Sequence, residues 1–429
     1  MNLKPDFISI IQSQTGADAE KFFEALQEPQ STSVRINDKV TEAELDILSG
    51  GTPIPYCATG YSLPSRPDFT LDPMLHGGAY YVQEASSMYL ESIISKYITG
   101  NVKCIDLCAA PGGKSTHLAS LLTPDSLIIS NEIMPQRANI LAENIIKWGN
   151  ENTIVTNNKP ADFKKLGAIF DIIVADVPCS GEGMFRKEPQ AVEQWSLDNV
   201  MMCAERQKSI ISDIWSNLKE GGLMVYSTCT FNRYEDEENV EWIASELGAE
   251  MLEQRHFYFH ETIGEGFYIA ALRKTSAAGG TAKIKPSKQK NSPAIATSKL
   301  LKEPSEYAVI ETSEYLCAVP QEEKELYSYM AENFRTLKCG VPLCSFKGKD
   351  EIPAHALAVS KALDISKAAL CSVDKPTALS YLRREAINIE NSERGYVLIT
   401  YNNLPLGWVK NLGNRCNNLY PDYWRIRKQ

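Results

Sequence analysis

Between Val102 and Leu272 the chain alternates between two patterns. Short runs of aliphatic and β-branched residues predict strands at 102–107, 126–131, 152–156, 170–175 and 223–228. Between them, apolar residues recurring every three to four positions predict helices at about 114–122, 135–148, 198–218 and 234–247. Regular strand–helix alternation is the signature of a parallel sheet with crossover helices, an α/β class. Gly149 and the Gly221-Gly222 pair stand where helix ends favour a left-handed residue. Phe267–Leu272 reads as a closing edge strand.

The flanks follow other rules. Residues 5–25 form an amphipathic helical region, 33–37 a short strand, and 51–72 a loop rich in Gly, Pro and Ser. Gln83–Met88 opens a helix reaching about Tyr97. Residues 274–302 hold seven lysines and no acidic residue among small and turn-forming ones, the composition of a flexible basic linker. It is either a solvated tether or an accessory phosphate-binding segment. Beyond it, strand signals recur at 396–401 and 406–409. The expected units are 1–92, a core at 93–275, a linker at 276–302 and a third unit at 303–429, with no internal repeat.

Composition narrows the setting. Of 429 residues, 43% are hydrophobic and 23% charged, as in an ordinary globular protein. No run approaches the roughly 20 apolar residues that cross a bilayer, and the opening Met1–Asp6 carries no signal-peptide pattern. Eleven cysteines, an odd number scattered through core segments, argue for a reducing cytoplasmic compartment rather than a disulfide framework. The net charge of −10 excludes indiscriminate coating of nucleic acid and leaves room for selective binding by local basic patches. A monomer without membrane contact is expected.

Candidate chemistry concentrates past the strand ends, where ligands bind in doubly wound sheets. Cys179 lies in Ala175-Asp176-Val177-Pro178-Cys179-Ser180-Gly181-Glu182-Gly183, and Cys229 in Tyr226-Ser227-Thr228-Cys229-Thr230-Phe231. A lone cysteine is most often a small buried hydrophobe; two in tight turns at strand ends point to covalent chemistry. The first strand ends in Asp106-Leu107-Cys108-Ala109-Ala110-Pro111-Gly112-Gly113-Lys114-Ser115-Thr116. Cys108 replaces the first glycine of a P-loop and Pro111 interrupts its amide cradle, which excludes a nucleotide triphosphatase. Gly-x-Gly-x-x-Gly spacing is absent as well. Glu132 closes the second strand, where an acid accepts hydrogen bonds from ribose hydroxyls. A nucleoside ligand without a pyrophosphate cradle points to S-adenosylmethionine, with no metal.

These three motifs, in this order and spacing, resemble the RNA cytosine-C5 methyltransferases of the NOL1/NOP2/Sun type. Ser33–Asn37, Tyr81–Ser87 and Gly264–Ala270 share the resemblance. Met184–Pro189, Leu406-Gly407-Trp408, Asn417 and Tyr420-Pro421 resemble the bacterial 16S rRNA methyltransferase F branch. The resemblance implies a Rossmann-like class I methyltransferase core of mostly parallel, doubly wound sheet. An N-terminal α+β RNA-binding subdomain and a C-terminal PUA-like α+β domain would flank it. It implies that Cys108, Ala109, Ala110, Pro111, Gly112, Gly113, Lys114, Glu132 and Asp176 contact the cofactor. Several relatives carry an acid near the adenine after the third strand; here Asn158 or Asp162 stands in that segment.

Cytosine C5 is too weak a nucleophile to take a methyl group directly, and a thiolate adding to C6 activates it. The resemblance implies that Cys229 is this nucleophile and that Cys179 assists breakdown of the adduct. Asp176 is expected to hold a proton near N3 or the exocyclic amine, stabilising the negative charge that addition pushes into the ring. The expected partner is RNA, in first place 16S rRNA or the small ribosomal subunit. The alternatives are tRNA or another RNA with the same chemistry, or a ribosome-assembly factor that binds RNA without turnover, which would have no need of both thiols. Arg186 and Lys187 either clamp flanking phosphates or lie on a solvated loop. Trp195, Trp215 and Trp242 fit the core better than a stacking platform. Arg425, Arg427 and Lys428 form a basic end that touches RNA or is solvated.

Overall fold

The computed structural model describes residues 1–277, 279–280, 295–389 and 393–428. Its centre is an eight-stranded sheet. In spatial order the strands are Ala249–Phe257, Phe267–Lys274, Leu218–Thr228, Phe170–Asp176, Lys103–Asp106, Leu127–Asn131, Thr153–Thr156 and Thr336–Cys339. The middle five are parallel and the outer three antiparallel. Helices cover both faces, so central residues such as Ile105, Ile129, Ile173 and Val225 are fully buried, as near-continuous apolar strands require. The first strand lies between the second and the fourth, and the crevice at this reversal collects the ends of three strands.

Three features depart from the sequence reading. Phe267–Lys274 is not an edge; it pairs with both Leu218–Thr228 and Ala249–Phe257, and the latter strand, half exposed and rich in Glu, closes that side. The Gly221-Gly222 pair ends no helix. It lies within Leu218–Thr228, where Phe170 pairs with Leu218 but Ile172 with Leu223, so that residues 219–222 bulge out. Gly149 does cap the helix Pro135–Trp148, with φ +94°. The opposite edge, Thr336–Cys339, comes from beyond the basic segment. Its Lys338 is buried, with Nζ 2.5 Å from Thr153 Oγ1.

The N-terminal unit is a helical hairpin and a four-stranded sheet, ordered Thr52–Pro53, Gly60–Ser62, Ser33–Ile36 and Tyr80–Val82. The loop expected at 51–72 therefore supplies two short strands. Arg35 clasps this unit to the core. Fully buried, it donates from Nε to Gln83 Oε1 at 2.9 Å and from Nη2 to Thr116 Oγ1 at 2.6 Å, and it lies 4.4 Å from the Trp148 ring. Burial lowers its affinity for a proton only to a pKa of about 10, so it remains charged. Cys57, Glu91 and His117 meet across the same seam, with His117 Nε2 3.0 Å from Glu91 Oε2.

The ends of the basic segment are ordered. Lys274 is buried at a strand end, with Nζ 2.9 Å from the carbonyls of Trp215 and Leu218. Ile295, Thr297 and Leu301 are buried against the third unit. Most of the stretch between, with Lys283, Lys285, Lys288 and Lys290, lies outside the described residues. The third unit holds two further four-stranded sheets, Tyr307–Glu311 to Asp350–Pro353 and Ala369–Ser372 to Cys416–Asn418. Trp408 joins them, donating from Nε1 to Ala354 O at 3.1 Å. No helix among the described residues is long and apolar enough to cross a membrane.

Truncating Arg35 would strand the acceptors of Gln83 and Thr116 and uncover Trp148. Arg35→Ala is therefore expected to cost about 3 kcal/mol of stability. Urea denaturation of both proteins, with a midpoint unchanged in the variant as the contrary result, checks this.

Candidate active site

The strand ends at the reversal hold the residues the motifs singled out. Phe170–Asp176 and Leu218–Thr228 run parallel with Asp176 opposite Ser227, so the turns that follow leave the sheet side by side. This places Cys179 Sγ 3.1 Å from Cys229 Sγ, and the Cys229 amide donates to Cys179 Sγ at 3.3 Å. Contact with Cys229, reinforced by burial and by Glu235, pushes the Cys179 thiol well above its usual range. Burial likewise raises the Cys108 thiol well above its ordinary range.

Asp176 is saturated on one side by Lys114 Nζ, 2.9 Å from Oδ2, and on the other by the Ser227 hydroxyl, 2.7 Å from Oδ1. Both of its oxygens therefore accept from the protein. Lys114 is held in turn over the Phe267 ring at 4.8 Å.

The turn from Leu107 to Gly113 leads into the helix Gly113–Leu121 through Gly112, whose φ of +119° only glycine adopts without strain. Asn144 and Arg137, both from the next helix, donate to the carbonyls of Pro111 and Ala110 at 2.8 Å each and fix the turn. Glu132 is buried; it accepts from the Met134 amide at 2.8 Å and lies 3.5 Å from Arg137. Asn131 ties the third loop in, donating to Leu107 O and Asn158 O. Asn158 Oδ1 accepts from the Arg335 amide, and Asp162 Oδ2 accepts from the Lys159 amide, each at 3.1 Å. Neither side chain is brought onto the turn by these bonds.

Asp106 is the member of this motif that the reading of the sequence passed over as a site residue. It is fully buried, accepts from Ser115 Oγ at 2.6 Å, and leaves Oδ1 without a partner among the described residues. Burial first, then the charges of Asp176 and Glu132, push its carboxyl up to about 7, against Ser115 and Lys114. Three carboxylates thus converge on one turn with Lys114 to offset them. A cationic sulfonium carrying ribose hydroxyls suits that donor set.

A second overlooked group holds the two cysteine turns together. Glu182, fully buried, accepts from the amides of Phe231 and Asn232, from Asn232 Nδ2 and from Trp195 Nε1, at 2.8–3.1 Å. Glu235 accepts from the Ser180 amide, Gln207 and Asn232. Gly183 packs so closely on Gly266 that a Cβ would stand 2.2 Å from its carbonyl oxygen. The bonds from Glu182 to Phe231 and Asn232 and from Glu235 to Ser180 span 49–55 residues, which hid these roles in the sequence.

Arg186 is not placed to clamp phosphates. Its guanidinium pairs with Glu265 at 2.7 Å, donates to Gly264 O at 2.8 Å and lies 4.5 Å from the Phe259 ring, with its side chain 7% exposed. Lys187 beside it is half-buried. Trp195 and Trp215 are buried and Trp242 partly so, as core residues. Lys428 pairs with Asp68 and Arg425 with Asp422, while Arg427 is exposed. A cleft of about 830 Å³ opens at the other end of the strands, by Lys103, Asp171 and Lys219, away from the thiols.

A parallel sheet with its ligand turn after the first strand and reactive groups after the fourth and fifth defines a Rossmann-like methyltransferase. The comparisons agree. A model described as 16S rRNA methyltransferase RsmB/F matches residues 98–273. The N-terminal domain of 16S rRNA methyltransferase RsmF matches 3–85, and the methyltransferase RsmF PUA domain matches 370–426. Ribosomal RNA small subunit methyltransferase F of Shewanella oneidensis is 30% identical over 98% of this chain and 97% of its own. The protein of the same name from Pectobacterium atrosepticum is 29% identical over 94% of this chain and 91% of its own. Among solved structures, NSun6 from Pyrococcus horikoshii, determined with SFG, superposes with a TM-score of 0.55 at 20% identity, covering 64% of this chain and 98% of that one. The chain belongs to the ribosomal RNA small subunit methyltransferase F family, and it is an RNA methyltransferase.

The raised Asp106 carboxyl has a consequence for stability. Between its ordinary pKa of 3.8 and about 7 the folded state keeps a proton that the unfolded chain has lost. Stability from this group therefore falls as pH rises through that window, and the full cost of the buried charge is present above it. Asp106→Asn, which still accepts from Ser115, should gain melting temperature relative to the unsubstituted protein between pH 5 and pH 8 without cofactor. A difference independent of pH would contradict the assignment.

Proposed function

We propose that this protein transfers a methyl group from S-adenosylmethionine to C5 of a cytosine in 16S rRNA, in the cytoplasm, through a covalent bond between Cys229 and C6. The observation that carries this reading is the pair of sulfurs 3.1 Å apart at the strand ends, beside Asp176 and Lys114. The names of the family and of its relatives support the substrate. The turn 108–114, with Asp106, Glu132 and Asp176, would hold the cofactor, which when bound supplies an electrophilic methyl on a sulfonium.

The remaining chemistry belongs to the chain. Cys179, keeping its proton, donates to the Cys229 sulfur and stabilises it as thiolate. Cys229 bonds to C6, and the displaced π pair enters the ring, where C5 becomes nucleophilic. Asp176, an acceptor, takes a hydrogen bond from the exocyclic amine and fixes the face of the base. After methylation the C5 proton passes to solvent water, the C5–H pair restores the C5–C6 double bond, and Cys229 leaves as a thiolate with the pair that bound C6. Cys179 acts in this release, next to the departing sulfur. The target base must be turned out of its stack to enter the crevice.

Cys229→Ala should abolish both methyl transfer and the covalent species. Cys179→Ala should still add to the base but release it slowly, leaving a protein–RNA adduct that survives denaturing electrophoresis. An adduct lost in Cys179→Ala and kept in Cys229→Ala would reverse the roles. Bisulfite sequencing of total RNA from cells with and without the protein reports the modified base, and an unchanged 16S pattern would refute the substrate.

A net charge of −10 means that RNA must be held by local contacts. With Lys274 buried, the lysines of the basic segment that remain for phosphate are Lys283, Lys285, Lys288, Lys290, Lys299 and Lys302. Changing these six to Gln should lower RNA affinity at low salt and flatten its salt dependence, without moving the modified position. An unchanged slope would make the segment a plain tether.

A further inference from the structure

The two sulfurs at the strand ends have a reactivity that methyl transfer does not call on, which is toward each other. Asp176 pairs with Ser227 across parallel strands, and neighbouring strands lie about 4.8 Å apart. Cys179 and Cys229 follow those partners by three and two residues. Their turns therefore start within the roughly 4.4–6.8 Å that separates the Cα atoms of a disulfide. The sulfurs themselves are 3.1 Å apart, so closing to a bond of roughly 2.05 Å asks for a movement of about 1 Å.

Little in the surroundings competes for either sulfur. Among the described residues their hydrogen-bond partners are each other and the Cys229 amide, which donates to Cys179 Sγ at 3.3 Å. Glu182, Glu235 and Asn232 hold the two turns through amides and side chains and not through the sulfurs, so this frame does not depend on the thiols staying apart. Both cysteines are partly exposed, which admits a small oxidant and, later, a reducing thiol. Of the eleven cysteines, no other pair is in hydrogen-bond contact sulfur to sulfur.

We propose that Cys179 and Cys229 form a reversible disulfide on exposure to a peroxide, which switches methyl transfer off and shields the nucleophile. The Cys229 sulfur attacks one oxygen of hydrogen peroxide, the O–O bond breaks, and the other oxygen leaves as water with the thiol proton. The Cys179 sulfur then attacks the sulfenic sulfur of Cys229, the S–O bond breaks, and the hydroxyl leaves as water with the Cys179 proton. Two thiols have given up two electrons and two protons, and the peroxide has become two waters. A dithiol reductant returns both electrons by thiol–disulfide exchange and is itself oxidised to a disulfide.

In a reducing compartment a disulfide is ordinarily transient and serves catalysis or sensing. This one would take both sulfurs out of the chemistry proposed above, and the loss of activity rests on the role given there to Cys229. It would also spare Cys229 the sulfinic and sulfonic acids, from which thiols do not recover it. RNA bound through C6 excludes the disulfide, because the Cys229 sulfur is then occupied.

The reduced full-length chain, freed of reductant and treated with hydrogen peroxide, tests the inference by alkylation of the remaining thiols, tryptic cleavage and mass spectrometry. A peptide pair joining Cys179 to Cys229, two hydrogens lighter than its separate halves, is expected, and dithiothreitol should release it. Methyl transfer should be lost in step with the appearance of this pair and return with dithiothreitol. Cys179→Ser should give no joined pair, and its Cys229 should go on to the sulfinic acid that dithiothreitol does not reverse. Cys371→Ser, which removes a partly exposed thiol of the third unit, should form the pair as the unsubstituted protein does. Absence of the joined peptides from the unsubstituted protein, whether Cys229 is oxidised further or stays reduced, overturns the inference and leaves the proposed methyl transfer standing. A joined pair with methyl transfer undiminished overturns both the switch and the role given to Cys229.

Discussion

Everything this crevice can do depends on keeping two turns, fifty residues apart in sequence, in contact at their sulfur atoms. Neither turn lies in a strand. The work falls to buried hydrogen bonds: Glu182 reaches from the first turn to the amides of the second, and Glu235 reaches back to the Ser180 amide, with Asn232 donating to both carboxylates. A buried carboxylate is tolerable only when its lone pairs are satisfied, so the network holds both turns in place or fails as a unit. Burial still raises the proton affinity of Glu235 and, more strongly, of Asp236. The crevice therefore carries stored electrostatic cost close to its two sulfurs.

The sequence made the parallel strands and the crossover helices legible because periodicity is local. Helix Pro135–Trp148 was bounded correctly by a proline at its start and Gly149 at its end. The Asp-x-Pro-Cys-Ser-Gly and Ser-Thr-Cys turns announced themselves by composition. What escaped were features set by partners far along the chain. Arg186 sits on a loop of the kind that meets RNA, but Glu265, 79 residues later, neutralises it, and Phe259 covers it. Lys274 looks like the first residue of a basic tether and is the last of a strand. Phe267–Lys274 resembles an edge because the strand that flanks it, Ala249–Phe257, is too polar to advertise itself.

The N-terminal seam shows how tightly the small sheet is mounted on the core. Arg35, Gln83, Thr116 and Trp148 form a continuous contact from the small sheet through the cofactor-side helix to the end of the next. Glu84 adds a second tie, accepting from the amides of Ser86, Ser87 and Glu265. The small sheet is therefore no loose appendage. Its position relative to the sulfurs is set by buried polar contacts.

The strand Thr336–Cys339 gives the molecule an unusual order of completion. Seven of the eight strands of the catalytic sheet are encoded before residue 275, yet Thr153–Thr156 lacks its outer neighbour until residue 339 has been made. A nascent chain growing from the N-terminus would therefore carry a bare, fully buried-type β-edge, Thr153-Ile154-Val155-Thr156, while more than sixty further residues emerge. Such an edge pairs readily with other chains. Synthesis of this enzyme thus has a vulnerable interval built into its gene order, in which protection by a chaperone, or rapid elongation, decides how many molecules reach the finished sheet.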